Sequence, residues 1–276
     1  MSLFVSSLNS GSNGNCFYIG NQHEAVLIDA GISCRETVRR MKRLELSPKK
    51  VKAVFITHEH ADHIAGVVKL SKKFQWPVYM TASTFQQSRL TLQSNLVKLF
   101  QAHEPVTIGN LHIVAFPKFH DACDPHSFMV SCNSINVGVF TDVGAICHQV
   151  IHHFKQCHAA FLEANYDEEL LEKGGYPLHL KNRIRGGLGH LSNDQALQLF
   201  LDHRPVFMSH LFLSHLSRNN NDPAIVQKLF QPHAGETEII IASRYEESKV
   251  YHILNNTTSN SKMVAETNSF VQLSLF

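Results

Sequence analysis

Thr57-His58-Glu59-His60-Ala61-Asp62-His63 sets three imidazoles and two carboxylates within seven residues. The apolar run 51–56 before it reads as a buried strand, and residues 64–74 after it follow a helical period, so the motif occupies a strand-to-helix loop. On an extended backbone alternate side chains share a face, so His58 and His60 point the same way. Asp62 and His63 fall at the turn, where they can face a second point nearby. Neutral imidazoles and a carboxylate so arranged suit two adjacent cations. The competing reading is a polar loop that is rich in histidine by chance, and the spacing on a strand–loop–helix argues against it.

On either side of the motif, strands alternate with helices. Strands are expected at 3–8 and 16–19 around the polar turn 9–15, and at 25–28, ending on Asp29. Ser33 can cap a helix running to Leu44. Further strands are expected at 77–80, 111–116, 128–132, 135–140, 160–162, 206–209 and 238–242, and helices at 145–154, 193–201 and 223–230. No internal linker or repeat divides residues 1–254, which read as one α/β domain. From Asn255 the composition turns polar, so 255–271 read as a flexible linker leading to 272–276.

Composition excludes several classes. Of 276 residues, 43% are hydrophobic, enough for a sizeable core and too many for global disorder. The N-terminus lacks the basic and apolar regions of a secretory signal, and no run approaches the ~20 apolar residues that span a bilayer. Six cysteines without a CxxC pair read as reduced thiols, which points to the cytoplasm. A net charge of +2 gives no broad basic footprint for nucleic acid, so any such binding must come from local features.

HxHxDH at a strand end resembles the signature of the metallo-β-lactamase superfamily, whose fold is an αββα sandwich. The resemblance covers residues 1 to about 254 and implies a site completed by a later His, a bridging Asp and a final His. His120 in Phe119-His120-Asp121-Ala122, Asp142 in Phe140-Thr141-Asp142-Val143-Gly144 and His215 in Leu213-Ser214-His215-Leu216-Ser217 fit these positions. His126 competes with His120, and His210 with His215. One divalent ion would then be held by His58, His60, His120 and Asp142. The other would be held by Asp62, His63, Asp142 and His215. Such donors accept zinc or manganese.

Three segments narrow the resemblance. Leu162-Glu163-Ala164-Asn165-Tyr166, Gly189-His190-Leu191-Ser192-Asn193 and the segment around His215 are similar to those of tRNA 3′-processing endonucleases of this fold. That similarity implies His190 as general acid, oriented by Glu163, while Asp62 takes the proton of the attacking water. Leu162 departs from the His of those enzymes, and no long inserted arm is evident, which weakens the tRNA reading.

The wider match is to the YycJ/WalJ-like bacterial members. It rests on Ser10-Gly11-Ser12-Asn13-Gly14-Asn15-Cys16, on Gly189 to Asn193, and on His215-Leu216-Ser217-Arg218-Asn219-Asn220-Asn221. It implies a 5′-to-3′ exonuclease on double-stranded DNA, associated with mismatch repair. In the first of these segments Ser12, Asn13 and Asn15 could cradle a substrate phosphate, though the segment also reads as a plain hairpin turn. Gln272-Leu273-Ser274-Leu275-Phe276 resembles the pentapeptide by which bacterial polymerases and repair proteins bind the sliding clamp. That likeness implies clamp contacts for Gln272, Leu273, Leu275 and Phe276, against the alternative of a tail docking on its own domain. An RNA endonuclease and a small-molecule phosphodiesterase are the rival functions.

Overall fold

Strand residues of opposite parity are apolar on both faces here, and that pattern requires cover on both sides. In the computed structural model, which describes residues 2–255, the cover is a second sheet on one face and helices on the other. The first sheet contains β1 (Leu3–Asn9), β2 (Cys16–Gly20), β3 (Ala25–Ile28), β4 (Val51–Phe55), β5 (Val78–Met80) and β6 (Val97–Leu99). The second contains β7 (Val106–Ile108), β8 (Leu111–Pro117), β9 (His126–Cys132), β10 (Ile135–Phe140), β11 (Ala159–Glu163), β12 (His210–Ser214) and β13 (Glu238–Ile241). β14 (Tyr251–Ile253) returns to the first sheet and pairs antiparallel with β1. The orders are β14-β1-β2-β3-β4-β5-β6 and β13-β12-β11-β10-β9-β8-β7, giving the αββα sandwich.

Residue parity assigns each side chain its layer. Phe17 and Ile19, Val26 and Ile28, and Ala159 and Phe161 enter the core between the sheets, where the Phe161 ring packs 4.7 Å from Phe17 and 4.5 Å from Phe212. Their neighbours Tyr18, Ala25 and Leu27 face outward under α1 (Cys34–Arg43), the short α2 (Ala61–Ile64) and α3 (Val67–Phe74). α4 (Ala82–Ser88) follows β5. On the far side Ala160, Leu162, Leu211 and Leu213 lie under α5 (His148–Phe154), α8 (Asn193–His203) and α9 (Pro223–Phe230). α6 (Glu168–Lys173) and α7 (Leu178–Arg185) fill the connection from β11 to α8. No helix of the described residues is long and apolar enough to cross a membrane, and all six cysteines are unpaired.

Strands β3 to β6 run parallel, as do β10 to β13. The loops leaving the carboxyl ends of β4, β10, β11 and β12 carry most of the candidate site residues, the usual place for a site in such sheets, and the loop after β8 adds His120.

Two expectations need correction. The strand expected at 206–209 is instead β12 at His210–Ser214. Pro205 opens a turn closed by Met208 N–H to Pro205 O at 3.0 Å, leaving Val206 exposed. The single helix expected at 64–74 is interrupted at Gly66, whose N–H donates to Ala30 O at 2.8 Å. A Cβ there would meet Ile32 O at 2.1 Å, so this glycine lets two loops touch.

Candidate metal centre

Four imidazoles of the cluster, those of His58, His63, His120 and His215, each have one nitrogen held by the protein. His63 Nδ1 donates to Asp29 at 2.7 Å, His120 Nδ1 to the Gly189 carbonyl at 3.0 Å, and His215 Nδ1 to Glu163 at 2.8 Å. His58 Nδ1 lies 2.8 Å from the Thr57 hydroxyl, which itself donates to Asp29. Fixing the proton on Nδ1 selects the tautomer whose Nε2 can ligate a cation. Nε2 of His58, His120 and His215 are buried without a hydrogen-bond partner among the described residues. Buried nitrogens left unpaired are costly unless something binds them.

The donors fall into two adjoining groups. His58, His60 and His120 bring ligand atoms within 4.8 Å of one another, as do Asp62, His63 and His215. Asp142 lies between them, 3.1 Å from His63 Nε2, 3.5 Å from His215 Nδ1 and 3.8 Å from His120 Nε2. The nitrogen and oxygen donors fit the divalent ions that the fold implies. His126 and His210 stand outside both groups. The first sits in β9 with its ring against Phe100, and the second packs edge-on to Tyr251.

Backbone geometry aims these groups. Asp29, Asp142 and His215 have φ of 60°, 54° and 56°, a conformation uncommon for residues with a side chain. Each ends a strand and turns its side chain sharply across the sheet edge. The His215 N–H donates to Ser10 Oγ at 2.7 Å, which fixes that turn.

The charges divide the two groups. Burial pushes His58 well below the usual imidazole range, helped by His63 and Lys118. Burial likewise lowers His120 to about 4 despite Asp142. For His63 burial also pushes downward, but Asp29, Asp142 and Asp62 outweigh it and hold the ring well above the usual range. The same balance, led by Asp142, raises His215 to about 10. Against the burial that opposes ionisation, His215 and His63 keep Asp142 well below the carboxylate range.

Beside the centre, His190 Nδ1 donates to Glu163 Oε1 at 2.8 Å. Glu163 is fully buried and its other oxygen accepts the Val143 N–H at 2.7 Å and the Leu191 N–H at 3.2 Å. One carboxylate therefore orients both His190 and His215. The His190 side chain remains 22% exposed, so its far nitrogen can reach a substrate.

Residues 24–215 match the family described as the β-lactamase superfamily domain. The chain is 32% identical over 224 residues to exodeoxyribonuclease YycJ of Bacillus anthracis, covering 80% of this chain and 85% of that relative. It belongs to the metallo-β-lactamase superfamily, among its YycJ-like members. Exodeoxyribonuclease WalJ of Streptococcus pneumoniae is 31% identical over 221 residues, covering 78% of this chain and 82% of the relative. The metallo-β-lactamase fold protein YhfI from Bacillus subtilis shares the fold with a TM-score of 0.71 at 17% identity, over 91% of this chain and all of that one. As a YycJ-like member of the superfamily, this chain is a metal-dependent hydrolase.

The structure brings His58, His60, Asp62, His63, His120, Asp142, His215, His190 and Glu163 together. The hairpin turn is divided. Asn15 is buried, with Nδ2 at 3.1 Å from His63 Nε2 and 3.4 Å from Asp62 Oδ2, so it supports the cation ligands rather than a free phosphate. Ser12 and Asn13 are exposed, and Asn13 Nδ2 donates to Arg244 O at 2.8 Å. Residues 272–276 lie outside the described residues. Asp29 and Lys118 had no assigned role in the sequence reading. Asp29 holds Thr57 and His63, and buried Lys118 donates from Nζ to the Thr141 carbonyl beside Asp142. A lysine just past the apolar end of a strand was the available signal for the second.

Proposed function

We propose that this chain is a 5′-to-3′ exonuclease on double-stranded DNA, acting in DNA repair with two divalent ions, zinc or manganese. The observation that carries the reading is the Glu163–His190 pair beside the cluster. A deoxyribose 3′-oxygen is a poor leaving group without a proton, and a half-buried imidazole backed by a carboxylate supplies one. The names of the YycJ and WalJ relatives support DNA as the substrate class.

Bound at the two donor groups, the ions supply an acidified water and neutralise charge on phosphorus. The chain's own residues do the rest. Asp62, whose Oδ2 lies 3.6 Å from both His63 Nε2 and His215 Nε2, would accept the proton of the attacking water. His190 donates its proton to the departing 3′-oxygen, and Glu163 holds the ring in position throughout. Asp142 keeps the two groups together. Gln272, Leu273, Leu275 and Phe276 are proposed to engage the DNA sliding clamp.

Incubation with end-labelled, 5′-phosphorylated duplex DNA and Mn²⁺, Zn²⁺ or Mg²⁺ tests the reading. Stepwise release of mononucleotides from the 5′ end is expected. Cleavage of precursor tRNA with duplex DNA left intact would establish the RNA endonuclease instead, and hydrolysis confined to small phosphodiesters would establish the third function.

A further inference from the structure

A cavity of about 400 Å³ opens one residue beyond His215. Ser10, Leu216, Ser217, Arg218, Ser243 and Arg244 supply the part of its wall that matters, with Ile241, Ala242 and the exposed ring of Tyr245 adding an apolar side. Its volume falls within the range of small-ligand sites.

The polar wall offers donors. Ser10 Oγ accepts the His215 N–H at 2.7 Å, Ser217 Oγ accepts the Asn220 N–H at 3.3 Å, and Ser243 Oγ accepts the Tyr245 N–H at 3.0 Å. Each hydroxyl oxygen is thus already engaged as an acceptor, which leaves its proton to donate. Arg218 and Arg244 add two permanent charges. Neither has a carboxylate partner among the described residues, and Arg244 Nη1 is shielded from solvent with no hydrogen-bond partner there. The acidic lining residue, Asp222, caps α9 by accepting the Ala224 N–H at 2.7 Å. The lining amide, Asn221, spends its Nδ2 on the Ala164 and Asn165 carbonyls. A wall of this kind repels cations and selects an anion with several acceptor oxygens.

We propose that this pocket binds the terminal phosphate of the substrate strand, with Tyr245 and Ile241 against its nucleoside. The chain would then prefer phosphorylated over hydroxyl ends. The inference rests on the nuclease reading above. A phosphomonoester carries about −1.5 to −2 charges and three acceptor oxygens, against one charge and two free oxygens for an internal phosphodiester. The donors present match the former.

The test compares steady-state cleavage by the metal-loaded full chain on duplexes that differ only in a 5′-phosphate or 5′-hydroxyl. Wild type should favour the phosphate by about tenfold or more, mostly through KM, as charge-assisted hydrogen bonds predict. Arg218→Gln, at an exposed position, and Arg244→Gln should each shrink that preference, and Arg244→Lys should restore part of it. Inorganic phosphate should inhibit wild type competitively and the Gln variants less. Equal wild-type cleavage of both ends overturns the pocket assignment while leaving the nuclease reading intact. An equal rise in KM on both ends assigns the arginines to internal phosphates and overturns it too. Absence of duplex cleavage by wild type defeats the nuclease reading itself.

Discussion

His63 and His215 are held above the usual imidazole range, His215 at about 10, whereas His58 and His120 lie below it, His120 at about 4. A raised value means that the proton is bound below it, so His63 and His215 carry protons at neutral pH until a cation displaces them. His58 and His120 are already neutral there and give up none. Binding at the Asp62/His63/His215 group should therefore release protons and tighten as pH rises toward about 10, whereas His58 and His120 add no such release at neutral pH. Calorimetric titration with Zn²⁺ or Mn²⁺ in buffers of different ionisation enthalpy reads this directly, and two sites with the same flat pH dependence would contradict it. His190 has a separate prediction. His190→Ala should keep its metal content yet lose roughly 10²–10⁴-fold in turnover. The loss should shrink on a nitrophenyl phosphodiester, whose leaving group needs no proton; an equal loss on both would make His190 a binding or structural residue. At this scale the HxHxDH cluster was legible because its members are neighbours in the chain. His120, Asp142 and His215 needed the family pattern, since strand-end context alone favours His120 and His215 over His126 and His210 without assigning a ligand. The burial of Asn15 against Asp62 was not legible, because it depends on two loops 47 residues apart meeting.

The β1–β2 turn and the loops after β3 and β4 touch through main chain. Asn15 N–H donates to Asp62 O at 2.7 Å and Gly31 N–H to Asn15 O at 2.8 Å. A Cβ on Gly31 would stand 1.6 Å from Asp62 O, a clash with backbone that no rotamer relieves. Gly31→Ala should thus cost about 1–3 kcal/mol or more in overpacking and displace Asp62. The expected result is a lower unfolding midpoint with weakened metal at the Asp62 group. Gly187→Ala is the control, because a Cβ there meets nothing within 4 Å; it should change stability by less than about 0.5 kcal/mol. An unaltered Gly31→Ala protein would refute the close approach. Elements with strong parity or helical period were readable in advance. α4, β6, β7, α6, α7 and β14 were not, being short segments of three to eight residues. The apolar stretch 206–209 misled for a physical reason, since Pro205 turns the chain before pairing can begin.

For the molecule as a whole, the βα alternation read as one α/β domain and the resemblance carried by the motif implied the αββα arrangement, while the pairing of β14 with β1 could be learned only from the structure. The clamp proposal belongs to this scale. Removing 272–276 should abolish clamp binding in a pull-down or titration and leave cleavage of short free duplexes unchanged, because the described domain contains every proposed catalytic group. Clamp binding that survives the truncation, or that neither protein shows, would remove residues 272–276 from that role. The cation donors, finally, span His58 to His215 and hang from both sheets. Ions seated there would join chain segments more than 150 residues apart in sequence, a cross-link in a protein whose six thiols form none. Closing so large a loop removes chain entropy from the unfolded ensemble much as a disulfide does. The centre that cuts a substrate would then also govern how slowly the two halves of the sandwich come apart, and chelation would act on the protein's lifetime as well as on its turnover.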